Sequence, residues 1–239
     1  MNWASLGSEF SSPAFWLSVL QIIWINVLLS GDNAVVIAMA CRGLPHRQRM
    51  WGMILGAGLA VVLRIVFTGV VASLLLLPYL KLVGGLVLFY IAAKLLVPDP
   101  PDESESEAVQ HLWRAVRIVA VADVIMSLDN VIAIAAAANG DMVLLVLGLA
   151  VSIPLIVAGA ALIAALLERF PIFVWAGSAL LGWIAGQVIA TDPVVHGYLV
   201  HAYDVPLART VEYASAAAGA VLVLIAGGLW RQAKRESAV

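Results

Sequence analysis

One cysteine, Cys41, stands in a chain of 239 residues. A lone thiol closes no intrachain disulfide and builds no thiolate-rich metal site, so a cystine scaffold and a zinc ribbon are both excluded. Charge is scarce as well: 13 Lys+Arg and 15 Asp+Glu make up 12% of the residues, against roughly 25% in soluble domains. A net charge of −2 offers no basic face to a polyanion, which removes nucleic acid as a partner. What is abundant is apolar, 63% of the chain, in runs of 20 or more residues with almost no charge. Such runs cannot give a globule its polar surface, and as helices they are long enough to cross a bilayer core of about 30 Å. The expected class is an all-α, multi-pass protein of the cell (inner) membrane.

Seven segments have the necessary length, approximately Phe15 to Cys41, Met50 to Leu77, Tyr79 to Val97, Leu112 to Ala138, Met142 to Leu167, Ile172 to Ala190 and Val211 to Trp230. Between the third and fourth, the run PDPPDESESE from Pro98 to Glu107 combines prolines with repelling carboxylates and suits a solvated linker. Ten cations fall on one side of this trace: Arg42, Arg47, Arg49, Lys94, Arg114, Arg117, Arg169, Arg231, Lys234 and Arg235. Two, Lys81 and Arg209, fall on the other, and Arg64 lies within a span. Cations collect in cytoplasmic loops, so the N-terminus is expected outside and the C-terminus in the cytoplasm. The first dozen residues carry no cation to form a signal-peptide n-region, and the first apolar segment is expected to remain as a span. The expected organisation is an extension and first three-helix set over 1–97, an acidic cytoplasmic linker over 98–111, a second three-helix set over 112–190, an external loop over 191–210, and a seventh helix with cytoplasmic tail over 211–239.

The second set copies the first. SGDNAVVIA, starting at Ser30, returns 97 residues later as SLDNVIAIA, starting at Ser127, and the same offset pairs Asn26 with Asp123. With a small gap, an offset of 92 pairs Gly56 with Gly148 and Gly85 with Gly177. Three helices per copy is an odd number, so the second copy enters the membrane from the opposite face. This predicts a 3+3 inverted repeat of the kind found in secondary transporters, with the seventh helix, AAAGAVLVLIAGG, added for packing or for contact with another subunit. A homodimer stays open.

Asp32 and Asp129 fall about halfway along the first and fourth spans. Spacings of four and seven align Asn26, Ser30 and Asn33 on one helix face, and Asp123, Ser127 and Asn130 on its counterpart. The two aspartates stand about 100° round from that face, so convergence on one point requires a local unwinding, which Gly31 permits in the first copy and Leu128 opposes in the second. Left ionised and unpaired at helix centre, Asp32, Asp123 and Asp129 would together cost roughly 8–10 kcal/mol. Compensation has three sources: protonation, pairing with Arg64 or Lys94, or a bound cation. A buried hydrogen-bond network joining the halves through Asp–Asn and Asp–Arg contacts is the plain structural alternative. The donors are oxygen throughout, with no histidine in a span, a set suited to hard ions such as Mn²⁺, Ca²⁺ or Mg²⁺ and unsuited to Zn²⁺, Cu⁺ or Ni²⁺. Three carboxylates exceed one divalent ion by one negative charge, to be met by a proton, which opens a route to proton coupling, or by Arg64. Strong pH dependence of metal binding is the sign of the proton.

At these residues the chain resembles the TerC family of integral membrane proteins, within the larger group of LysE-like transporters. The resemblance rests on SGDNAVVIA and SLDNVIAIA, on Asp123 six residues before Asp129, on GGLVLFYIAAKLL and on GSALLGWIAG, and covers roughly residues 15 to 230. It implies Mn²⁺ efflux, with Asp32, Asn33, Asp129 and Asn130 as candidate ligands, Asp123 and Asn26 matching less firmly, and Ser30 and Ser127 as additional or supporting oxygens. The implied partners are the transported ion and the bilayer, with no prosthetic group. Two other functions stay in view: a membrane protein that assists assembly or metal loading of partners, and an intramembrane aspartyl protease, whose sequence contexts around the two aspartates are missing here.

The remaining polar residues have plainer expectations. Arg64 is placed to neutralise a buried aspartate in an empty carrier, and Lys94, near a cytoplasmic helix end, equally to anchor it. His196, His201, Asp192 and Asp204 read as a polar loop rather than a metal collector. Gly52/Gly56 and Gly182/Gly186 have the spacing of close helix contacts. Trp51, Trp113 and Trp230 mark span boundaries.

Overall fold

The computed structural model describes residues 13–74, 77–97, 105–138, 141–202 and 205–236, and the regular structure there is entirely helical. The apolar segments form α1 (Pro13–Leu29), α2 (Gly31–Cys41), α3 (His46–Leu74), α4 (Leu80–Leu96), α5 (Glu105–Ala138), α6 (Met142–Arg169), α7 (Ile172–Ala190), α8 (Pro193–Ala202) and α9 (Val205–Glu236). Among the described residues, four helices are long and apolar enough to cross a membrane, and five spans result if α1 and α2 together make one bent span. The 17-residue α4 and the long α5, both expected to span, are not among these.

Two boundaries differ from the sequence reading. α5 starts at Glu105, inside the stretch taken as linker, because Glu, Ala and Gln after the last proline are good helix formers and Glu suits a helix N-terminus. The stretch taken as an external loop contains the ten-residue α8 and the start of α9. Residues 98–104 of the acidic linker lie outside the described residues.

Glycines set the closest approaches. α7 packs along α9, where Gly182 meets Gly219 and Gly186 meets the backbone of Ser215 and Ala216, so the seventh long helix is a packing element of this chain. α1 packs on α6 with Ile22 against Gly148, and α3 packs on α5 with Val119 against Gly56. Gly52 accommodates Cys41 and Leu112. α4 lies on α7, where Gly85 faces Ile189.

Asp192, read as part of a polar loop, is fully buried. Its carboxylate accepts the N–H groups of Val194 (3.0 Å) at the start of α8 and of Leu82 (3.1 Å) and Tyr79 (3.4 Å) at the start of α4. It thereby caps two helices at once, and holds Tyr79 at a positive φ of 66°. His196 faces Glu212 at 3.4 Å, while the side chains of His201 and Asp204 lie outside the described residues. Trp51, Trp113 and Trp230 are all exposed, as boundary anchors would be.

The interior has two apolar clusters. One gathers Ile22, Val61, Ile134, Leu145 and Leu149, and the other gathers Ile37, Ala57, Ala122, Met126 and Ile156 with their neighbours. Between them, near the middle of α3 and α5, lies a polar centre.

Candidate functional site

The first span breaks where sequence places its polar signature. α1 and α2 meet at Ser30 with a bend of 55°. In a continuous helix the Leu29 carbonyl would accept the Asn33 N–H. Here the Asn130 amide donates to the Leu29 carbonyl (3.2 Å), and the Asn33 N–H turns to the Asp32 carboxylate (2.8 Å). Two signature side chains have taken the two ends of one backbone bond, a recognised cause of a kink. Gly31 has a φ outside the left-handed region and open space where a Cβ would stand, so its special freedom is not what the break uses. α5 runs unbroken through the second copy, as Leu128 suggested.

Arg64, on α3 and 2% exposed, is the hub. Its Nη2 donates to Asp123 Oδ1 (2.6 Å) and Ser127 Oγ (2.9 Å), its Nε to Ser127 Oγ (3.2 Å), and its Nη1 to Ser30 Oγ (3.2 Å) and the Asn26 amide oxygen. Asn26 in turn donates to Ser152 on α6, whose hydroxyl donates to the Leu149 carbonyl (2.7 Å). Ser30 donates to Asn26 (3.4 Å) instead of capping α2. Asp123 is 3% exposed, so this is a desolvated ion pair, worth keeping only with its hydrogen bonds complete.

Among the described residues, two groups beside the hub lack partners. Neither polar atom of the Asn33 amide has one, although the residue is 6% exposed, and Asp123 Oδ2 has none. Asn33, Ser30, Arg64 and Asp123 line a void of about 10 Å³ together with Ile37, Ala57, Ala60, Val61 and Ile156, about the size of one water. Buried amide and carboxylate oxygens are rarely left unpaired, so the void is suited to a small polar or ionic guest.

Of the expected ligands, Asn33, Asp123, Asn26, Ser30 and Ser127 therefore meet at one place. Asp32 is half-buried at the first turn of α2, within electrostatic reach of Arg64 and Asp123. Asn130 belongs to the break. The backbone of Asp129 continues α5 beside it, and its side chain lies outside the described residues. Lys94 is elsewhere, over the Tyr90 ring at 5.8 Å and lining a surface pocket with Arg42, His111 and Arg114, so it does not compensate the aspartates. Among the described residues no three of His, Cys, Asp and Glu come together as a metal cluster. Sequence reasoning missed Ser152; its spacing from Gly148 across α6 was the available signal.

Comparison with known proteins agrees with this membrane architecture. The chain is 44% identical over 178 residues to the membrane protein YjbE of Bacillus subtilis strain 168, covering 74% of this chain and 81% of YjbE. It is 26% identical to the membrane protein YceF of the same organism, over 62% of this chain and 61% of YceF. It is 24% identical to a UPF0053 protein of Buchnera aphidicola subsp. Schizaphis graminum, over 64% of this chain and only 33% of that protein. No solved structure matches. Residues 11–236 match the integral membrane protein TerC family, to which this multi-pass membrane chain belongs.

Proposed function

We propose that this chain transports a hard divalent cation, Mn²⁺ by its family resemblance, outward across the inner membrane. The observation that carries this reading is the buried centre itself: an ion pair with three hydroxyls and two amides, drawn from five helices and the α1–α2 break, beside a void with oxygens that have no partner among the described residues. Groups this costly to bury in a membrane domain mark an ion pathway. Asp32, Asn33, Asp123, Asp129 and Asn130 are the ligands in this reading, with Asn26, Ser30 and Ser127 supporting them. Asp32, Asp123, Asp129 and Arg64 sum to two negative charges, the complement of one divalent ion. Arg64 then fills the part otherwise left to a proton.

Seven spans, an external N-terminus and an inverted repeat complete the proposal. Ile22 and Val119 are 97 residues apart, and Gly148 and Gly56 are 92 apart, so the Ile22–Gly148 and Val119–Gly56 contacts become each other when the halves exchange. That pairing supports the repeat, and a broken helix at its centre supports alternating access.

Cellular Mn content and Mn tolerance test the function, comparing cells with the protein, without it, and with Asp32→Ala or Asp129→Ala. Export predicts lower Mn and higher tolerance only with the intact aspartates. Equal values in all four strains reject it. Transport by the purified chain in liposomes separates a carrier from a protein that only assists metal loading of others.

A further inference from the structure

The guanidinium of Arg64 holds oxygens that a transported cation would need: Asn26, Ser30, Asp123 and Ser127 all accept from it. We infer that Arg64 is a tethered stand-in for the transported ion, seated on the ion's oxygens when the site is empty and displaced from Asp123 when a divalent cation enters. The inference rests on the transport reading.

Three observations carry it. The first is saturation: Nε, Nη1 and Nη2 all find oxygen acceptors, so the centre is a complete cradle for a positive charge. A divalent ion on the same oxygens repels the guanidinium, so its entry moves Arg64 off Asp123 while the tethered charge stays beside the site and still offsets the third carboxylate. The second is the void beside the pair, where Asp123 Oδ2 and the Asn33 amide have no partner among the described residues. An arriving ion can bind there before the arginine has left, because Asp123 offers Oδ1 to Arg64 and keeps Oδ2 open. The third is asymmetry. The residue 92 positions after Arg64 is Ile156, which lines the same void, so only one half brings a cation. A brace between equivalent halves has no need of that difference, whereas a single stand-in for a single ion requires it.

The consequence is directional. With Arg64 seated, the buried Asp123 is neutralised and the empty carrier can return alone, which gives net export. Without Arg64, Asp123 stays uncompensated until an ion fills the site, and only loaded carrier crosses.

The full chain in liposomes tests this as wild type, Arg64→Gln, Arg64→Lys and Asp123→Asn, with Mn²⁺ as the probe. Binding is read by calorimetry, stability by the thermal shift on adding Mn²⁺, and flux as net efflux against one-for-one exchange of radiolabelled Mn²⁺. Arg64→Gln is expected to bind Mn²⁺ about tenfold tighter, and to show a larger Mn²⁺-dependent thermal shift than wild type, because removing one partner leaves a buried charge seeking another. Its net efflux is expected to drop about tenfold while exchange persists. Asp123→Asn is expected to bind more weakly than wild type. Should Arg64→Gln fail to fold, Arg64→Lys serves: a point charge with three donors holds the four oxygens less completely, so Mn²⁺ binding tightens a few-fold. Weaker or unchanged binding in the arginine variants, or net efflux and exchange falling together, overturns the inference and leaves the transport reading standing. Wild type that neither binds nor moves Mn²⁺, Ca²⁺ or Mg²⁺ overturns both.

Discussion

The Leu29 carbonyl and the Asn33 N–H are separated by the spacing of an ordinary helical bond, yet each is taken by a signature side chain. Removing the Asn130 amide returns the carbonyl to the backbone at a net change of about 1 kcal/mol, enough to alter which geometry is favoured. Asn130→Ala is therefore expected to straighten the 55° bend. Pulsed EPR between spin labels at Leu20 and Gly43 reads the outcome as a longer distance, and an unchanged one rules the account out. Asp192 makes a different test, since it caps two helices and touches no site residue. Asp192→Ala is expected to cost about 1–2 kcal/mol, seen as a lower melting temperature, with Mn²⁺ flux per folded molecule unchanged. At this scale sequence told a good deal. Of its two polar faces, Asn26, Ser30 and Asn33 do come together with Asp123 and Ser127 while Asn130 goes to the break, and Arg64 does meet a buried aspartate. Hydrogen-bond partners a hundred or more residues away were hidden, so the use of Asn130 in the break, Ser152 behind Asn26, and the structural duty of Asp192 could not be read.

Helices pack here through small residues, because between apolar helices in lipid the gain comes from close contact rather than from escaping water. A Cβ on Gly186 would stand 2.8 Å from the Ser215 carbonyl carbon and 2.9 Å from Ala216 Cα, atoms of a backbone that cannot give way. Gly58, also in a helix interior, has nothing within 4 Å of the same point. Gly186→Ala is accordingly expected to destabilise by about 1–3 kcal/mol, and Gly58→Ala to stabilise by about 0.5–1 kcal/mol. Thermal unfolding in detergent checks both, and shifts of the same sign would remove the distinction. Spacing alone marked Gly182/Gly186 as a contact pair but named no partner. The helix they meet, α9, is outside the repeat, and its place against α7 depends on the whole bundle. Element ends were less legible than centres: hydropathy sees the apolar core of α5, while its polar first turns from Glu105 obey helix propensity instead.

Across the whole molecule the repeat is legible unevenly. Ile22–Gly148 and Val119–Gly56 exchange as the offsets require, whereas Gly85 meets Ile189 and Gly177 meets Met39 and Val35, which do not. The third helices carry no polar signature to hold their register, so drift there is unsurprising. Orientation is a property of the entire chain, expected from ten cations against two, and neither hydrogen bonds nor packing express it. It can be tested with single cysteines, because the native Cys41 is fully buried and its thiol is shielded in place. Tyr198, on α8, is 74% exposed, and the sequence reading puts it on the side with Lys81 and Arg209. Tyr198→Cys is expected to react with a membrane-impermeant maleimide in intact cells. Pro101→Cys, in the acidic linker on the cation-rich side, is expected to react only after permeabilisation. Reversed labelling would put the cations outside, and the proposed outward transport would then have to run from the opposite face of the protein.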